Sequence, residues 1–364
     1  TNMNGSQNAI LLTAGILHQP GAKTAHGLIR KSSRFNIVGV IDNSFPGQDA
    51  GYIIDKKERG IKIFASVKDF LANSVLKASY AIVGVALPGG KLPQDMLDDI
   101  SQAISSGMSV VSGMHDFLSD NQQLRSLAEV HHVSLIDIRK PRPKDQLKFW
   151  TGSILQVKAP IVGVLGTDCA LGKRTTAVMI TEAMKKKGKN AQMVFTGQTG
   201  WLQGHEYGFI LDSTYNDFIS GELENAVVTC YRETSPDIIF VEGQSSLFNP
   251  SGPCGAELLL SAQCKGVILQ HAPARVYYNG QEHTGIKISL ERELAAIQLY
   301  GAHVIAITLN TKDLSPEEAI HYKQALEKAY RLPVVLPLEE GVDQLSYLVE
   351  QYMLQFETAD TVNG

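Results

Sequence analysis

The sequence contains few cysteines and no excess of positive charge. Its four cysteines show neither C-x-x-C spacing nor a neighbouring histidine cluster, so they indicate neither a zinc site nor a disulfide framework. Lys and Arg number 33 against 37 Asp and Glu, a net charge of −4. Because a groove that follows a nucleic-acid backbone needs a basic excess, we expect no nucleic-acid partner.

Long apolar runs are also lacking. No segment approaches the ~18 consecutive apolar residues of a membrane span. The first residues, Thr1-Asn2-Met3-Asn4-Gly5, lack a basic segment followed by an apolar one. We therefore expect a cytoplasmic protein with no membrane partner.

The chain has 364 residues, which correspond to about two domains, and 32 of them are glycines. Short β-rich apolar segments alternate with amphipathic ones, a pattern typical of α/β domains with mainly parallel, doubly wound sheets. Residues 140–145 interrupt the pattern with two prolines and four charges. We predict a Rossmann-like domain over residues 1–145 and a P-loop NTPase-like domain over residues 146–364.

The apolar segments predict the following elements. In the first domain we expect strands near residues 8–14, 37–42, 61–64, 81–86, 109–112 and 134–138, and helices near 23–31, 67–73, 93–106 and 121–130. In the second we expect strands near residues 161–165, 191–195, 238–241, 267–269, 304–308 and 334–336.

The most informative segment follows the strand at 161–165 and precedes a helical pattern. It resembles a phosphate loop, in which backbone N–H groups, a lysine and a helix N-terminus surround phosphate oxygens. Thr167 occupies the position of the first glycine in the pattern G-x-x-x-x-G-K-[ST]. The nearest glycine, Gly166, stands one residue earlier. The residues predicted to bind a phosphate-containing cofactor are Gly166, Thr167, Asp168, Cys169, Gly172, Lys173, Arg174, Thr175 and Thr176.

The segment also departs from the phosphate-loop pattern at the position that normally binds Mg²⁺. Arg174 occupies the position whose hydroxyl normally binds Mg²⁺. If Arg174 faces the phosphates, its guanidinium opposes a metal and neutralises phosphate charge, which suits a diphosphate that is held but not cleaved. If it points outward, Thr175 can take over the metal. Helix phase cannot be assigned to one residue from sequence, so both alternatives stay open, and we assign no metal ligand.

Several polar residues stand where strands are expected to end. Glu242 follows an apolar strand and is a candidate general base, a water-mediated metal ligand or a loop carboxylate. Asp168 is likewise either a site residue or a loop carboxylate. Because it would lie beside negatively charged phosphates, its carboxylate would require hydrogen-bond donors or a cation as partners. His271 is a candidate base or a structural histidine. Residues 196–200 either contact a ligand or form a plain turn. Residues 309–313 are a candidate contact to a nucleobase or to pantetheine.

Short motifs are spread over nearly the whole chain. They are Lys23-Thr24 with Gly27-Leu28, Pro88-Gly89-Gly90, Ser112-Gly113-Met114-His115, Ile136-Asp137-Ile138-Arg139, residues 166–176, residues 196–200 and Val241-Glu242-Gly243-Gln244. Together these motifs resemble the family catalogued as DUF1611, a domain of unknown function whose members include D-glutamate N-acetyltransferases. The second half alone also resembles the dethiobiotin-synthetase-like branch of P-loop proteins.

The family resemblance implies transfer of an acetyl group from acetyl-CoA to the amine of an acidic amino acid, D-glutamate. The phosphate loop agrees with this, since CoA carries a diphosphate and a 3′-phosphate, and we expect the loop to bind them. The amine must lose a proton before it attacks, so Glu242 and His271 are the candidate bases, with Asp168 as a further catalytic candidate. The candidate cations for the substrate carboxylates are Arg174, Arg139 and Arg275.

Two other functions remain open. One is an ATP-dependent enzyme of the dethiobiotin-synthetase-like branch, with Mg²⁺ bound by Thr175 and by Asp168 or Glu242. The other is a nucleotide-binding switch without catalysis. In each case the expected partner is a small molecule, together with further copies of the same chain as a homo-oligomer.

Overall fold

The chain folds into two compact α/β units. The structure is a computed structural model and describes residues 6–87 and 91–363, so Thr1 to Gly5 and the Pro88-Gly89-Gly90 motif lie outside the described residues. The first unit comprises the chain up to Arg142 together with Gln198–His205, and the second comprises Pro143–Gly197 and the chain from Glu206 onward. The predicted fold class, two mainly parallel sheets covered by helices, is confirmed.

The first unit is built on a parallel sheet of six strands among its described residues. Their order is β3-β2-β1-β4-β5-β6, so the strand order reverses at β1 and β4, as in Rossmann-like sheets. Most apolar residues of the central strands are buried because helices cover the sheet. The elements are β1 Gln7–Leu12, α1 Lys23–Arg30, β2 Phe35–Ile41, α2 Ala50–Asp55, β3 Ile63–Phe64, α3 Val67–Asn73, β4 Tyr80–Val83, α4 Gln94–Ser105, β5 Ser109–Ser112, α5 Gln122–Val130 and β6 Leu135–Asp137.

The second unit is built on a parallel sheet of seven strands among its described residues, in the order β13-β12-β11-β7-β10-β8-β9. The strand before the phosphate loop, β7, lies at the centre between β11 and β10. Its elements are β7 Ile161–Gly166, α6 Lys173–Lys186, β8 Ala191–Phe195, β9 Tyr207–Gly208, α8 Asn216–Thr234, β10 Ile238–Glu242, α9 Ala256–Leu260, β11 Gly266–His271, α10 Leu290–Leu299, β12 His303–Leu309, α11 Pro316–Tyr330, β13 Val334–Val335, α12 Pro337–Glu340 and α13 Asp343–Asn363; α7, Gln198–Gln203, belongs to the first unit.

Short 3-10 helices connect some of these elements, at Pro20–Ala22, Leu118–Asp120, Lys144–Gln146, Ser153–Gln156, Leu211–Ser213 and Glu282–Thr284. None of the described helices is both long enough and apolar enough to cross a bilayer.

The predicted strands and helices are present, and their ends differ from the expected ones by at most three residues. No bounds were predicted for the helices of the second unit after α6. The sequence pattern did not indicate α2 or β9 either, because two to six residues are too few to show a period. The plain turn considered for residues 196–200 is wrong, since α7 begins at Gln198. Hydrogen bonds attach this segment to the first unit: the Arg34 side chain donates to the Trp201 carbonyl at 2.7 Å, and Ser33 N donates to the Gln203 carbonyl at 2.9 Å.

Candidate functional site

The phosphate-type loop lies at the carboxyl end of the central strand β7 and leads into α6. Gly172 caps the helix with φ 93°, a left-handed conformation that glycine adopts without strain. Gly166 also has a steric role, because a Cβ there would lie 2.9 Å from Cδ of Lys173. The two glycines therefore allow the loop to turn and the lysine side chain to fold back across the strand end.

Lys173 is the buried cation of the loop, with 6% of its surface exposed. Its ammonium group donates to the backbone oxygen of Asp168 and, at 3.1 Å, to that of Ser245. Burial lowers the pKa of Lys173 to about 8, although the charges of Cys169, Asp168 and Glu242 oppose this shift. A buried ammonium held mainly by carbonyl oxygens is a favourable position for an anionic ligand.

Asp168 is fully buried and accepts hydrogen bonds from four donors. Oδ1 accepts from Cys169 N at 2.7 Å and from Asn249 Nδ2 at 3.2 Å. Oδ2 accepts from Arg275 Nη1 at 3.0 Å and from Asn279 N at 2.8 Å. These bonds supply the donors and the cation that this position requires, and they tie two distant segments of the chain, one with Asn249 and one with Arg275 and Asn279, to the loop.

Arg275 also binds the backbone of the loop. Besides its ion pair with Asp168, Nη1 donates to the Cys169 carbonyl at 2.7 Å and Nη2 donates to the Ala170 carbonyl at 3.2 Å. Its charge is thus balanced by a carboxylate of the same chain. The expectation that Arg275 binds a substrate carboxylate stays a prediction, and the position it holds is that of a loop-shaping residue.

Glu242 ends β10, next to the loop, with only 4% of its surface exposed. Its Oε2 accepts from Thr196 N at 3.0 Å, and its backbone oxygen accepts from the Thr196 hydroxyl at 2.7 Å. Burial raises the pKa of Glu242, while the hydrogen bond from Thr196 and the positive charge of Arg174 lower it. The following Gly243 is required, because a Cβ there would lie 2.5 Å from the Val164 oxygen.

His271 ends β11 on the other side of β7. Its Nδ1 lies 2.8 Å from the Thr167 hydroxyl. Burial lowers the pKa of His271 to about 4, so the imidazole is neutral at pH 7. Glu242 and His271 therefore stand on the two strands that flank the loop, one as a carboxyl group of raised pKa and the other as a weakly basic imidazole.

The loop also rests on a polar residue that the sequence pattern did not indicate. Gln270 Oε1 accepts from the hydroxyls of Thr176 at 2.8 Å and Thr308 at 2.5 Å, and Gln270 Nε2 donates to the Leu171 oxygen at 3.2 Å. Thr176 thus contributes its hydroxyl to the packing beneath the loop. Position alone could have suggested Gln270, since it directly precedes His271 at a strand end.

The second residue missed by sequence reasoning is a buried glutamate. Glu293 of α10 is 1% exposed and accepts from Phe248 N at 3.0 Å and Leu247 N at 3.3 Å. Burial raises the pKa of Glu293 to about 7, against the opposing effect of these backbone donors. It holds the segment that supplies the Ser245 carbonyl and Asn249. No local motif identifies it, because its partners lie on another part of the chain.

The remaining predicted residues are distributed as follows. Arg174 is half-buried and Thr175 exposed in the first turn of α6. Burial raises the pKa of the Cys169 thiol. Arg139 lies in the first unit, where its Nε donates to the Gly113 oxygen at 2.6 Å. Within residues 6–87 and 91–363, no three His, Cys, Asp or Glu side chains form a group that could hold a metal ion.

Comparison with protein families agrees with this geometry. The family model described as the P-loop domain of DUF1611, a domain of unknown function, matches residues 148–346. The chain belongs to the DUF1611 family. The companion model, described as the Rossmann-like domain of the same family, matches residues 43–141 of this DUF1611 protein. The resemblance seen in the sequence motifs is thereby confirmed.

Two curated relatives carry a functional name. A protein from Pseudoalteromonas sp, named D-glutamate N-acetyltransferase, is 34% identical over 276 residues, which cover 74% of this chain and 81% of the relative. One from Tritonibacter scottomollicae with the same name is 30% identical over 274 residues, covering 74% and 80%. Among solved structures, a DUF1611 family protein from Anabaena variabilis aligns with a TM-score of 0.84 and 27% identity, covering 95% of this chain and 100% of that one.

Proposed function

We propose that this DUF1611 protein is an N-acetyltransferase that moves an acetyl group from acetyl-CoA to the amine of D-glutamate. The names of the two curated relatives support the reaction class and the acceptor. The observation that carries the proposal is the buried Lys173 ammonium, held by carbonyl oxygens at the N-terminus of α6. Phosphate oxygens of CoA are stronger acceptors for that cation than the two carbonyls, and the helix N-terminus favours them as well.

The residue after the lysine supports a diphosphate that is held without being cleaved. Arg174 stands where phosphate-cleaving loops place a metal-binding hydroxyl, and a guanidinium cannot bind a metal. Acetyl transfer requires no phosphoryl chemistry, so this replacement is compatible with CoA. The loop then serves to anchor the CoA diphosphate while the thioester reacts elsewhere in the site.

Glu242 is the better candidate base. A base works best when its pKa lies near the working pH, and burial moves the Glu242 pKa toward neutrality. The pKa of His271, at about 4, makes its imidazole a weak proton acceptor. We assign to His271 the role of orienting Thr167, whose hydroxyl it contacts at 2.8 Å.

The proposed transfer conserves atoms and charge as follows. Glu242 takes one proton from the ammonium group of the acceptor, which frees the nitrogen lone pair. The nitrogen attacks the thioester carbon, the carbon–sulfur bond breaks, and a second proton from nitrogen passes to the leaving thiolate. We infer that Arg174, whose positive charge lowers the pKa of Glu242, binds a carboxylate of the acceptor.

Calorimetry with acetyl-CoA, and with ATP in the presence and absence of Mg²⁺, tests the ligand. We expect acetyl-CoA to bind without Mg²⁺ and CoA release to depend on added D-glutamate, with L-glutamate and D-aspartate as comparison acceptors. Tight, Mg²⁺-dependent ATP binding without acetyl-CoA binding would overturn the proposal in favour of an ATP-dependent enzyme.

The base is tested with Glu242→Gln. We expect kcat to fall by about 10²- to 10⁴-fold, the usual contribution of a general base, while the Kd for acetyl-CoA stays within about twofold. Glu317→Gln, on the exposed first turn of α11, is the matched control and should retain full activity. Unchanged turnover in Glu242→Gln would remove Glu242 from the mechanism.

A further inference from the structure

A cleft of about 470 Å³ opens in the second unit beside the phosphate loop. Its walls include Ala170 of the loop, Arg275 and Tyr277 from the segment after β11, and Lys312 and Asp313 from the segment after β12. This volume is within the range of ordinary small-molecule sites, about 300–1,000 Å³. A ligand anchored by the loop can therefore extend into the cleft without leaving the unit.

Hydrogen bonds fix the far wall of the cleft to the loop. Asn310 Nδ2 donates to the Leu171 oxygen at 3.0 Å, and Lys312 N donates to the Asn310 Oδ1 at 3.0 Å. Lys312 is thus held at a defined position relative to the loop backbone, although its side chain is exposed. A cation placed in this way can select for a second anionic group on a ligand whose first anionic group is in the loop.

The charges of the cleft are mixed. Arg275 is already paired with Asp168, whereas Lys312 forms no ion pair in the part of the chain that the structure describes. Glu282 and Asp313 add two carboxylates to the lining. The cleft therefore offers one available ammonium group together with hydrogen-bond acceptors, which suits a ligand with both a phosphate and N–H or O–H donors.

We propose that the cleft binds the adenosine 3′-phosphate end of CoA and that Lys312 contacts the 3′-phosphate. The inference rests on the proposed function, since it assumes that the CoA diphosphate occupies the loop. The diphosphate joins the 5′ carbon of a ribose that carries the 3′-phosphate, so the two anionic groups are near neighbours in the ligand. The adenine amino group and the ribose 2′-hydroxyl are donors for Glu282 and Asp313. ATP has no 3′-phosphate and gains nothing from Lys312.

The test measures the Kd of CoA and of 3′-dephospho-CoA by calorimetry for the wild type, Lys312→Ala and the control Lys328→Ala. Lys328 is an exposed lysine of α11 and gives the same change of net charge. We expect the wild type and Lys328→Ala to bind CoA about tenfold more tightly than dephospho-CoA, which corresponds to one charge-assisted hydrogen bond. In Lys312→Ala the ratio should fall to near one through weaker CoA binding alone.

The outcomes separate this inference from the proposed function. Equal binding of the two ligands by the wild type, or an unchanged ratio in Lys312→Ala, overturns the assignment of Lys312 even if acetyl transfer is observed. The expected ratios without any acetyl transfer support the subsite and contradict the transferase proposal. Absence of CoA binding in the wild type overturns both.

Discussion

Replacement of Asp168 by Asn is the most direct test of how the loop is held. The buried carboxylate accepts from four donors, with two on each oxygen. The amide has almost the same shape, but it keeps one acceptor oxygen and turns an N–H group toward two of the donors. The variant therefore loses about two hydrogen bonds and leaves Arg275 without its counter-charge.

The magnitude follows from these contacts. Hydrogen bonds to a charged group contribute about 1.5–3 kcal/mol each, so two of them amount to about 3–6 kcal/mol. Arg275 retains 23% side-chain exposure, and water compensates part of its lost partner. We expect a destabilisation of about 3 kcal/mol, which corresponds to a decrease of about 6–12 °C in the Tm of a unit of this size.

Thermal unfolding followed by circular dichroism measures this effect. Asp145→Asn is the control, because Asp145 is an exposed aspartate of the same unit, and it should change the Tm by less than about 2 °C. Acetyl-CoA affinity should fall at least tenfold in Asp168→Asn, since the loop backbone loses its anchor. A Tm within 2 °C of the wild type would refute the view that this network holds the loop.

Two further predictions concern the buried charges. Lys173→Met should raise the Kd for acetyl-CoA at least a hundredfold in calorimetry. The Tm should stay constant or rise, because burial lowers the Lys173 pKa to about 8 and a buried charge destabilises the folded state. A large fall in Tm would contradict this. The pKa of Glu293 is raised from 4.5 to about 7, so between these pH values the folded state keeps a proton that the unfolded state releases, and stability decreases as the pH rises. Comparing wild type with Glu293→Gln from pH 5 to 8, we expect the wild type to lose about 2.5 kcal/mol relative to the variant, and a difference independent of pH would show that the carboxyl group does not titrate in this range.

The strands and the loop could be predicted because their signals are local. The apolar run of β7 is followed by glycines, a lysine and a helical pattern, all within about twenty residues of sequence. Glu242 and His271 were found for the same reason, since each stands at the end of a strand and parallel strands end at one edge of a sheet.

The partners of these residues could not be predicted in this way. Asn249, Arg275 and Asn279 bind Asp168 across 81, 107 and 111 residues of sequence, and none of them belongs to a local pattern. The same holds for Glu293, whose bond to Leu247 N spans 46 residues. Such contacts depend on which loops the sheet order brings together, and strand patterns do not specify that order.

The sequence by itself determined the fold class, the phosphate-type loop and the family, because hydrophobic periodicity and glycine turns act over short distances. Only the tertiary structure decided that Asp168 serves as the anchor of the loop, that Glu242 is buried strongly enough to raise its pKa, and that Gln198–His205 joins the first unit. The physical reason is that hydrogen-bond partners and burial depend on packing between segments distant in sequence, which no local pattern encodes.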